Sequence, residues 1–332
     1  MLTNIGVLRR VKKCVSTALS MSIVMTLAAC VQPNTSSPLP MPIASSVPRT
    51  GLPPSQFPTS ATRGAAPSAI ATNRRPVAAS PQPPLGTPSE IPTRAPAPTD
   101  YQPGWTLLFV DDFIDAVPLG GWPGSYAARW LQYSDNTPDS TGRNLGTPSR
   151  WWPSKVVGVH DGLLDFYFHT EDGVALSAAV LPATGGKALN QLYGRYVVRF
   201  RADSSLGYKA AFLLWPKSER WPQDGEIDFP EGDLAESIFA AMHHQDGRSS
   251  DDQDVFTTGV SFAGWHTAVT DWTPQGVSFI LDGAVIGIST IGIPNTPMHY
   301  VLQSEACEVR CPSPDLVGHL QIDWVAIYAP AP

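Results

Sequence analysis

Residues 101–332 alternate short β-branched and aromatic runs with Gly, Pro and Asp, and this alternation constrains the fold more than any other feature. The runs are WTLLFV (105–110), GLLDFYFH (162–169), YGRYVVRFRA (193–202), AAFLLW (210–215), SIFAAMHH (237–244), GVSFILDG (276–283) and HLQIDWVAIY (319–328). Runs of this kind predict strands, and Asp161-Gly162 and Asp282-Gly283 are typical of tight hairpin turns. No stretch has the apolar spacing of an amphipathic helix. Many short strands without helices predict an all-β sandwich or barrel.

The first thirty residues have the layout of a bacterial export signal. Four basic residues within positions 9–13 precede the apolar run STALSMSIVMTLAAC, which is too short and wrongly flanked for a transmembrane helix. Its end, Leu27-Ala28-Ala29-Cys30, resembles the bacterial lipobox, after which Cys30 would become the lipidated first residue. We therefore expect a lipoprotein at the cell envelope or outside the cell. The alternative is an ordinary cleavage site beside a chance cysteine.

Residues 31–100 form a second, compositionally distinct segment. Half of the chain's 34 prolines lie here among Ser, Thr and Ala, and Phe57 is the only aromatic residue. Such a segment cannot bury enough apolar surface to offset the entropy of ordering, so we expect a disordered linker. Together with the lipobox it would act as a spacer between a membrane and the domain at 101–332; a bare disordered tail is the alternative.

The region 101–332 is strongly acidic and contains all ten tryptophans. It has 13 Lys and Arg against 27 Asp and Glu, a net charge of −14, which disfavours nucleic acid and other polyanions as partners. The sequence has no glycine-rich phosphate loop and no metalloprotease-type histidine pair, so we expect no cofactor for the chemistry. We also expect a monomer. Cys307 and Cys311 predict a local disulfide, because a zinc site would need two further ligands.

The stretch DGEIDFPEGD, residues 224–233, places five carboxylates in ten positions. In a strand, Glu226 and Asp228 share a face, whereas Glu231, five positions from Glu226, falls on the other face. One extra residue in the strand, a β-bulge, would turn Glu231 back. Phe229-Pro230 is suited to a bulge because proline cannot donate to the strand ladder. The stretch therefore predicts three carboxylates on one face.

Paired carboxyl groups are the chemical requirement for cleaving a glycosidic bond. One carboxylate attacks the anomeric carbon, while the other, kept neutral, protonates the leaving oxygen. Two other interpretations remain open at this point. The acidic cluster could bind calcium, or it could be a solvated surface strand.

The motifs around this strand resemble those of glycoside hydrolase family 16, the laminarinase and lichenase group. They are GRYVVRFRAD, AAFLLWPKSERWPQDGEIDFPEGD, WHTAVTDWTPQGVSFILDG and HLQIDWVAIY, in that order. Residues 226–231 match the bulged E-x-D-x-x-E form of the family's signature. The resemblance implies a concanavalin-like two-sheet jelly roll with a sugar-binding cleft on its concave face. It also implies that Glu226 is the nucleophile, that Glu231 is the acid/base, and that Asp228 tunes the nucleophile.

The resemblance implies further site residues with less specific signatures. A histidine on the next strand would lie near the acid/base; His243 is favoured over His244 by strand parity. Trp221 matches a cleft-lining position, Trp215, Trp151 and Trp152 are weaker candidates, and Gln303 stands where relatives often carry a sugar-contacting Asn. Asp323 matches a structural calcium ligand of relatives, and a hydrogen-bonded strand end is the alternative. Val197 and Leu214 depart from the Glu and Trp that relatives often have, at positions expected in the cleft.

The function that the resemblance implies is a retaining, endo-acting glycoside hydrolase. A neutral β-linked polysaccharide is the expected substrate, with a β-1,3- or mixed β-1,3/1,4-glucan first, because the acidic domain disfavours sulfated galactans. Two alternatives stay open. One is a cell-envelope transglycosylase of the same fold, which passes the intermediate to a sugar instead of water. The other is a non-catalytic glucan-binding module, which would need neither glutamate.

Overall fold

A computed structural model describes residues 96–98 and 101–332. The predicted export signal, Cys30 and almost all of the predicted linker lie outside the described residues and stay predictions. In the described part of the chain, no helix has the length and apolar character needed to cross a membrane.

The described residues form 21 strands, two short α-helices and one turn of 3₁₀-helix at Gly124–Tyr126. The helices are α1 (Ser140–Leu145) and α2 (Pro153–Val156). The strands are β1 (Tyr101–Gln102), β2 (Trp105–Asp111), β3 (Trp130–Gln132), β4 (Thr137–Pro138), β5 (Ser149–Trp151), β6 (Val157–His160), β7 (Leu163–Glu171), β8 (Val174–Ser177), β9 (Ala179–Thr184), β10 (Lys187–Ala188), β11 (Asn190–Gln191), β12 (Gly194–Ala202), β13 (Tyr208–Pro216), β14 (Glu226–Asp233), β15 (Ser237–His243), β16 (Gln253–Ser261), β17 (His266–Thr273), β18 (Gly276–Leu281), β19 (Ala284–Ser289), β20 (Met298–Ala306) and β21 (Gly318–Pro330).

The strands of the described region assemble into two sheets. One has twelve strands, in the order β19-β18-β17-β12-β21-β7-β8-β5-β4 with β1, β2 and β6 attached at its sides. The other has nine strands, in the order β10-β9-β20-β13-β14-β15-β16 with β3 and β11 attached. The prediction of an all-β, two-sheet sandwich is confirmed.

The main core lies between the two sheets. Val198 and Phe200 of β12 point into it from one sheet, and Phe212 and Leu214 of β13 from the other. Phe200 and Phe212 meet edge to face, with ring centroids 6.0 Å apart. Full burial of such side chains contributes about 1.5–3 kcal/mol each. Because side chains alternate along a strand, this burial also fixes which residues of β13 point the other way.

The two hairpins predicted from Asp-Gly pairs are confirmed. His160 pairs with Leu163 and Leu281 pairs with Ala284, so each loop has two residues. Both residues of each loop have positive φ, 53° and 73° in the first loop and 50° and 82° in the second. That geometry belongs to the turn type that Asp-Gly favours, because its twist matches the strands it joins.

The face of the nine-stranded sheet that points away from the main core is called the site face below. On β13 it carries Lys209, Ala211, Leu213 and Trp215, which alternate with the core-facing residues of the same strand. Two of the expected cleft positions are not on it. Leu214 lies in the main core, and Val197 packs with Trp324 and other apolar residues in a separate cluster apart from the main core. The expectation that these two residues line the cleft is therefore wrong.

Residues 130–152 cover part of the site face. Tyr133 and Trp151 pack onto Leu213, Trp215 and Val301 and form a second apolar cluster there. The Trp151 indole N–H donates to the backbone oxygen of Ser304 at 2.9 Å. This cover excludes water from one side of the site face.

The same covering segment is anchored to the end of β20 by hydrogen bonds. Asp139 caps α1 by accepting from the backbone N–H of Gly142 at 2.7 Å, and it also accepts from the backbone N–H of Ala306 at 3.1 Å. Ser140 donates to the Glu305 carboxylate from its backbone N–H at 3.3 Å and from its hydroxyl. The contacts with Ala306 and Glu305 are buried, so each replaces water that the groups have lost.

Candidate active site

Strand β14 contains the predicted bulge. Asp228 and Glu231 are three residues apart, but their partners Leu213 and Ala211 on β13 are only two apart. The partners on β15, Ala241 and Phe239, are also two apart. The extra residue therefore lies in Phe229-Pro230, whose peptide bond is cis.

The bulge brings three carboxylates to the site face. Ile227 and Phe229 point into the main core, so the residues alternating with them, Glu226 and Asp228, point to the site face. Glu231 joins them after the bulge. All three are buried, with side-chain exposures of 0% for Glu226 and Glu231 and 1% for Asp228.

These carboxyl groups lie within one electrostatic environment. Burial raises the pKa of Glu226 well above its usual range, the charges of Asp228 and Glu231 raise it further, and Lys209 lowers it. The pKa of Asp228 is raised in the same way, first by burial and then by Glu231. Burial also raises the pKa of Glu231, against the influence of Lys209. Three carboxylates so close cannot all ionise freely, so the site favours a mixture of protonated and ionised groups.

Lys209 is a member of the site that the sequence reasoning missed. Its ammonium nitrogen lies 2.8 Å from Glu231 Oε1 and 3.1 Å from Glu308 Oε1. Its side chain is 4% exposed. The signal was present in the sequence, since Lys209 is two residues before Ala211 in the run GYKAAFLLW and so shares its face.

Several buried polar atoms on the site face have no hydrogen-bond partner within the described residues. They are the amide oxygen and nitrogen of Gln303 and the hydroxyl oxygen of Tyr133. Glu226 is hydrogen-bonded to Trp221 and Asp228, and His243 to the backbone of Ser250. Buried polar groups are nearly always paired, and a cluster of exceptions calls for an explanation. A polar ligand with many hydroxyl groups would supply the missing partners.

His243 lies on the site face, whereas His244 does not. His243 pairs with Glu226 across the strands, and its Nε2 is 3.8 Å from Asp228 Oδ2. Burial lowers the pKa of His243 to about 4, so the ring is neutral at neutral pH. His244 is 26% exposed and lies 3.4 Å from Asp254.

The tryptophans differ in their position relative to the carboxylates. Trp221 is partly buried and meets His243 edge to face, with ring centroids 5.8 Å apart. Trp215 is on the site face but is 1% exposed, and its indole N–H donates to Glu219 at 2.6 Å. Trp151 is buried beside it, and Trp152 packs against the main core. Trp221 is therefore the tryptophan best placed to contact a ligand at the carboxylates.

Gln303 lies beside the carboxylates on the neighbouring strands. It pairs with Ala211 of β13, which in turn pairs with Glu231 of β14. Its side chain is fully buried. Gln303, Ala211 and Glu231 form one row across β20, β13 and β14. A ligand hydroxyl group near Glu231 would therefore lie near Gln303 as well.

Asp323 does not fit a calcium site. It is fully buried, and its Oδ2 lies 3.5 Å from the guanidinium Nε of Arg199. A guanidinium in contact with the carboxylate repels a second cation, so the residues present disagree with a bound metal ion. Among the described residues, the only three acidic, histidine or cysteine side chains close enough to share an ion are Glu226, Asp228 and His243.

Donor atoms of those three side chains lie within 4.8 Å of one another. They lie close together because Glu226 and Asp228 are on β14 and His243 is on the neighbouring strand β15. At this distance the ionisation of one carboxyl group affects the pKa of the other. Asp323 lies outside this cluster. Cys307 and Cys311 form a disulfide, with the sulfur atoms 2.17 Å apart.

The two-sheet β-sandwich with buried carboxyl groups on one sheet face is the jelly-roll arrangement of the solved structures described below. The family model described as Glycosyl hydrolases family 16 matches residues 182–310, which include β14 and all three carboxylates. The resemblance to glycoside hydrolase family 16 is thus confirmed.

Relatives of known structure or sequence agree with that family. A glucan endo-1,3-beta-glucosidase of Cryptopygus antarcticus is 29% identical over 125 residues, which span 34% of this chain and 46%, less than half, of that protein. A non-specific endo-beta-1,3(4)-glucanase of family 16 has the same fold, with a TM-score of 0.58, 17% identity, and coverage of 72% of this chain and 94% of that one. The catalytic domain of a laminarinase from Thermotoga petrophila RKU-1 gives a TM-score of 0.54 at 16% identity, covering 69% and 99% of the two chains.

Proposed function

We propose that this protein is a retaining, endo-acting glycoside hydrolase that cleaves a β-1,3- or mixed β-1,3/1,4-linked glucan. The observation that carries the proposal is the bulge in β14, which places Glu226, Asp228 and Glu231 on one buried face where their ionisations are coupled. The relatives described above are a glucan endo-1,3-beta-glucosidase and endo-glucanases, and they support the choice of substrate.

The chemistry proceeds in two steps through these carboxyl groups. In the first, the Glu226 carboxylate attacks the anomeric carbon while the Glu231 carboxylic acid gives its proton to the departing oxygen. In the second, the Glu231 carboxylate takes a proton from water, which attacks the anomeric carbon and releases Glu226. Two inversions give overall retention of configuration.

Asp228 and His243 would support the nucleophile. Asp228 lies between the two glutamates along the strand and near the neutral ring of His243. Its charge adds to that of Glu226, so a proton held by Asp228 would leave Glu226 free to ionise. Such an exchange of one proton between neighbouring carboxyl groups keeps the nucleophile available.

The surroundings of the carboxylates suit a neutral sugar. Trp221 offers an aromatic ring beside His243, and apolar sugar faces pack well against such rings. The amide oxygen and nitrogen of Gln303, which have no partner among the described residues, can pair with hydroxyl groups. A sulfated or carboxylated sugar would bring further negative charge to the site face, which already carries the carboxyl groups of Glu226, Asp228 and Glu231.

Export and lipid anchoring are a second part of the proposal and rest on the sequence. We propose that the protein is carried across the cytoplasmic membrane and held at the cell envelope through a lipid on Cys30. The basic residues, the apolar run and the lipobox-like Leu-Ala-Ala-Cys support this. The acidic domain would then meet polysaccharide outside the cell as a monomer.

A panel of polysaccharides tests the proposed activity. Purified protein is incubated with laminarin, mixed-linkage β-glucan, cellulose, agarose and carrageenan, and reducing ends and product lengths are measured. We expect new reducing ends and oligosaccharides from the first two substrates only. Redistributed chain lengths without new reducing ends would indicate a transglycosylase, and retention of glucan without any product would indicate a binding module.

A further inference from the structure

The environment of Glu231 contains a charge arrangement that the proposed mechanism does not use. The acid/base must be protonated before the first step, yet Lys209 makes an ion pair with it at 2.8 Å. Neither side chain has access to water, since Glu231 is fully buried and Lys209 nearly so. Charges in contact at such a place are screened much less than at a surface.

We infer that Lys209 is a positioning residue that holds Glu231 as a carboxylate in the free protein and so sets the pH range in which Glu231 can act as the acid. The inference rests on the proposed function and names a control on its pH dependence. Lys209 acts through Glu231, whose Oε1 lies 2.8 Å from the lysine nitrogen.

Other titratable groups on the site face determine how strongly Lys209 acts. They come from the strand of Glu231 itself, from β15, from β20 and from the turn after β20: Glu226, Asp228, His243, Glu305 and Glu308. His243 is neutral at neutral pH because burial lowers its pKa to about 4. The remaining groups are acidic, so Lys209 is the cation that opposes them at Glu231.

Lys209 keeps its charge in this environment. Burial alone would lower the pKa of the ammonium group, but Glu231, Glu308 and Glu305 together raise it well above the usual value. Lys209 is therefore positively charged at neutral pH, whether Glu231 is protonated or ionised. A neutral lysine would have no comparable effect on Glu231.

Glu308 competes with Glu231 for the lysine. It lies 3.1 Å from Lys209 Nζ, with 26% of its side chain exposed. The Cys307–Cys311 disulfide closes the short turn in which Glu308 stands.

That turn is held close to the start of β13. Gly207, at φ 91°, packs so tightly against it that an added Cβ would lie 2.6 Å from the backbone nitrogen of Pro312. The backbone N–H of Cys307 donates to the Gly207 oxygen at 3.0 Å. The backbone of the turn that carries Glu308 is therefore held close to the start of β13.

The two neighbours of Glu231 predict pH shifts of opposite sign. An adjacent cation lowers a carboxyl pKa and an adjacent anion raises it, by about 1–3 units for contacts of this kind. Lys209→Met removes the cation, so the alkaline limb of kcat/KM, which reports the protonated acid, should move to higher pH. Glu308→Gln removes a competing anion, so the same limb should move to lower pH.

The experiment measures kcat/KM against pH for the full chain on the glucan that the unmodified protein cleaves. It compares Lys209→Met, Lys209→Arg and Glu308→Gln. Lys155→Met is the matched control, because Lys155 pairs with Glu171 in an exposed ion pair. For Lys209→Met we expect the alkaline limb to move to higher pH by about 1–3 pH units. For Glu308→Gln it should move to lower pH. For Lys209→Arg and Lys155→Met it should not move.

A second measurement does not depend on activity. Carboxyl ¹³C NMR of protein with labelled glutamate, assigned through Glu231→Gln, follows the titration of Glu231 in each variant. We expect the same shifts and the same signs. Lower activity without movement of the pH limbs, or an unchanged Glu231 titration in both Lys209→Met and Glu308→Gln, overturns the inference.

The two readouts separate this inference from the proposed function. If the unmodified protein cleaves none of the glucans, the proposed function fails, and the NMR titration still decides whether Lys209 controls Glu231. If Lys209→Met does not fold, the titration of Glu231 in Lys209→Gln decides it, because Glu308 also acts on Glu231 directly.

Discussion

Removing one residue from the bulge of β14 should cost much less than removing two. Asp228 and Glu231 are three residues apart on β14, and their partners are two apart on both β13 and β15. Deleting Pro230 makes these counts equal. The regular strand that results, E-I-D-F-E, keeps its third carboxylate on the site face without displacing either neighbouring strand.

Deleting both Phe229 and Pro230 has two larger costs. Phe229 is 1% exposed, and its ring centroid lies 5.6 Å from that of Phe279. Loss of this buried ring therefore lowers the free energy of unfolding by about 3–5 kcal/mol. The shortened strand also turns Glu231 toward the core, where an unpaired carboxyl group costs several kcal/mol more. The sum is comparable to the entire stability of a typical domain, about 5–15 kcal/mol. The single deletion loses no aromatic side chain and should cost about 1–3 kcal/mol.

Denaturant unfolding and hydrolysis assays of the two deletions test this reasoning. Phe229→Ala is the matched control, because it removes the ring and keeps the bulge. We expect the Pro230 deletion to fold and retain measurable hydrolysis, Phe229→Ala to lose about 3–5 kcal/mol, and the double deletion to be largely unfolded. Equal stability of the two deletions, or a Pro230 deletion as inactive as Glu231→Gln, would refute the argument from register.

Further predictions concern the carboxylates, the stereochemistry, the aromatic contact and the anchor. Glu226→Gln and Glu231→Gln should each lower kcat by about 10²-fold or more at unchanged thermal stability, because the amide can neither attack nor transfer the proton; near-normal hydrolysis by either would reject its role. Proton NMR of early products should show the β-anomer first, whereas an α-anomer would mean inversion. Trp221→Ala should raise KM on glucan by about tenfold, the equivalent of about 1.4 kcal/mol of lost sugar contact, and an unchanged KM would place the sugar elsewhere. Cys30→Ser should be exported but absent from salt-washed membranes, and persistent membrane association would contradict the lipobox.

The strands with one exposed or polar face were readable from the sequence. The run at 162–169 and the run at 276–283 alternate clearly, and both correspond to strands of the twelve-stranded sheet. Strand β20, Met298–Ala306, was not predicted. All nine of its residues are buried, as are those of β13. Its sequence MHYVLQSEA contains His299, Gln303, Ser304 and Glu305, so it lacks the unbroken apolar run by which AAFLLW marked β13.

The placing of Glu226, Asp228 and Glu231 on one face could be derived from the sequence. The residues that neighbouring strands bring next to them could not. Parity along β14 required a bulge, and the structure contains one. Parity alone does not say which strand lies beside which, and so Lys209 was overlooked. The same gap explains the misplacement of Val197 and Leu214. Each belongs to a strand that was correctly predicted, but the face on which it lies depends on how the two sheets pack.

The short helix α1 could not be predicted from its own sequence, because residues far away in the chain stabilise it. Its six residues are too few to form a stable helix alone. Asp139 caps it and at the same time binds the backbone of Ala306, which is 167 residues away in the chain. Contacts of this range leave no pattern in the local sequence.

The position of β21 in the twelve-stranded sheet has a consequence for the order in which the protein can fold. This last strand, Gly318–Pro330, lies between β12 and β7 and also pairs with β2, near the beginning of the described domain. The strand that joins the two halves of the sheet is therefore synthesised after β2, β7 and β12. Until then β2, β7 and β12 lack a common neighbour, and chains shortened before Gly318 cannot complete the sheet. Such late, long-range pairing delays folding until the whole domain has been made.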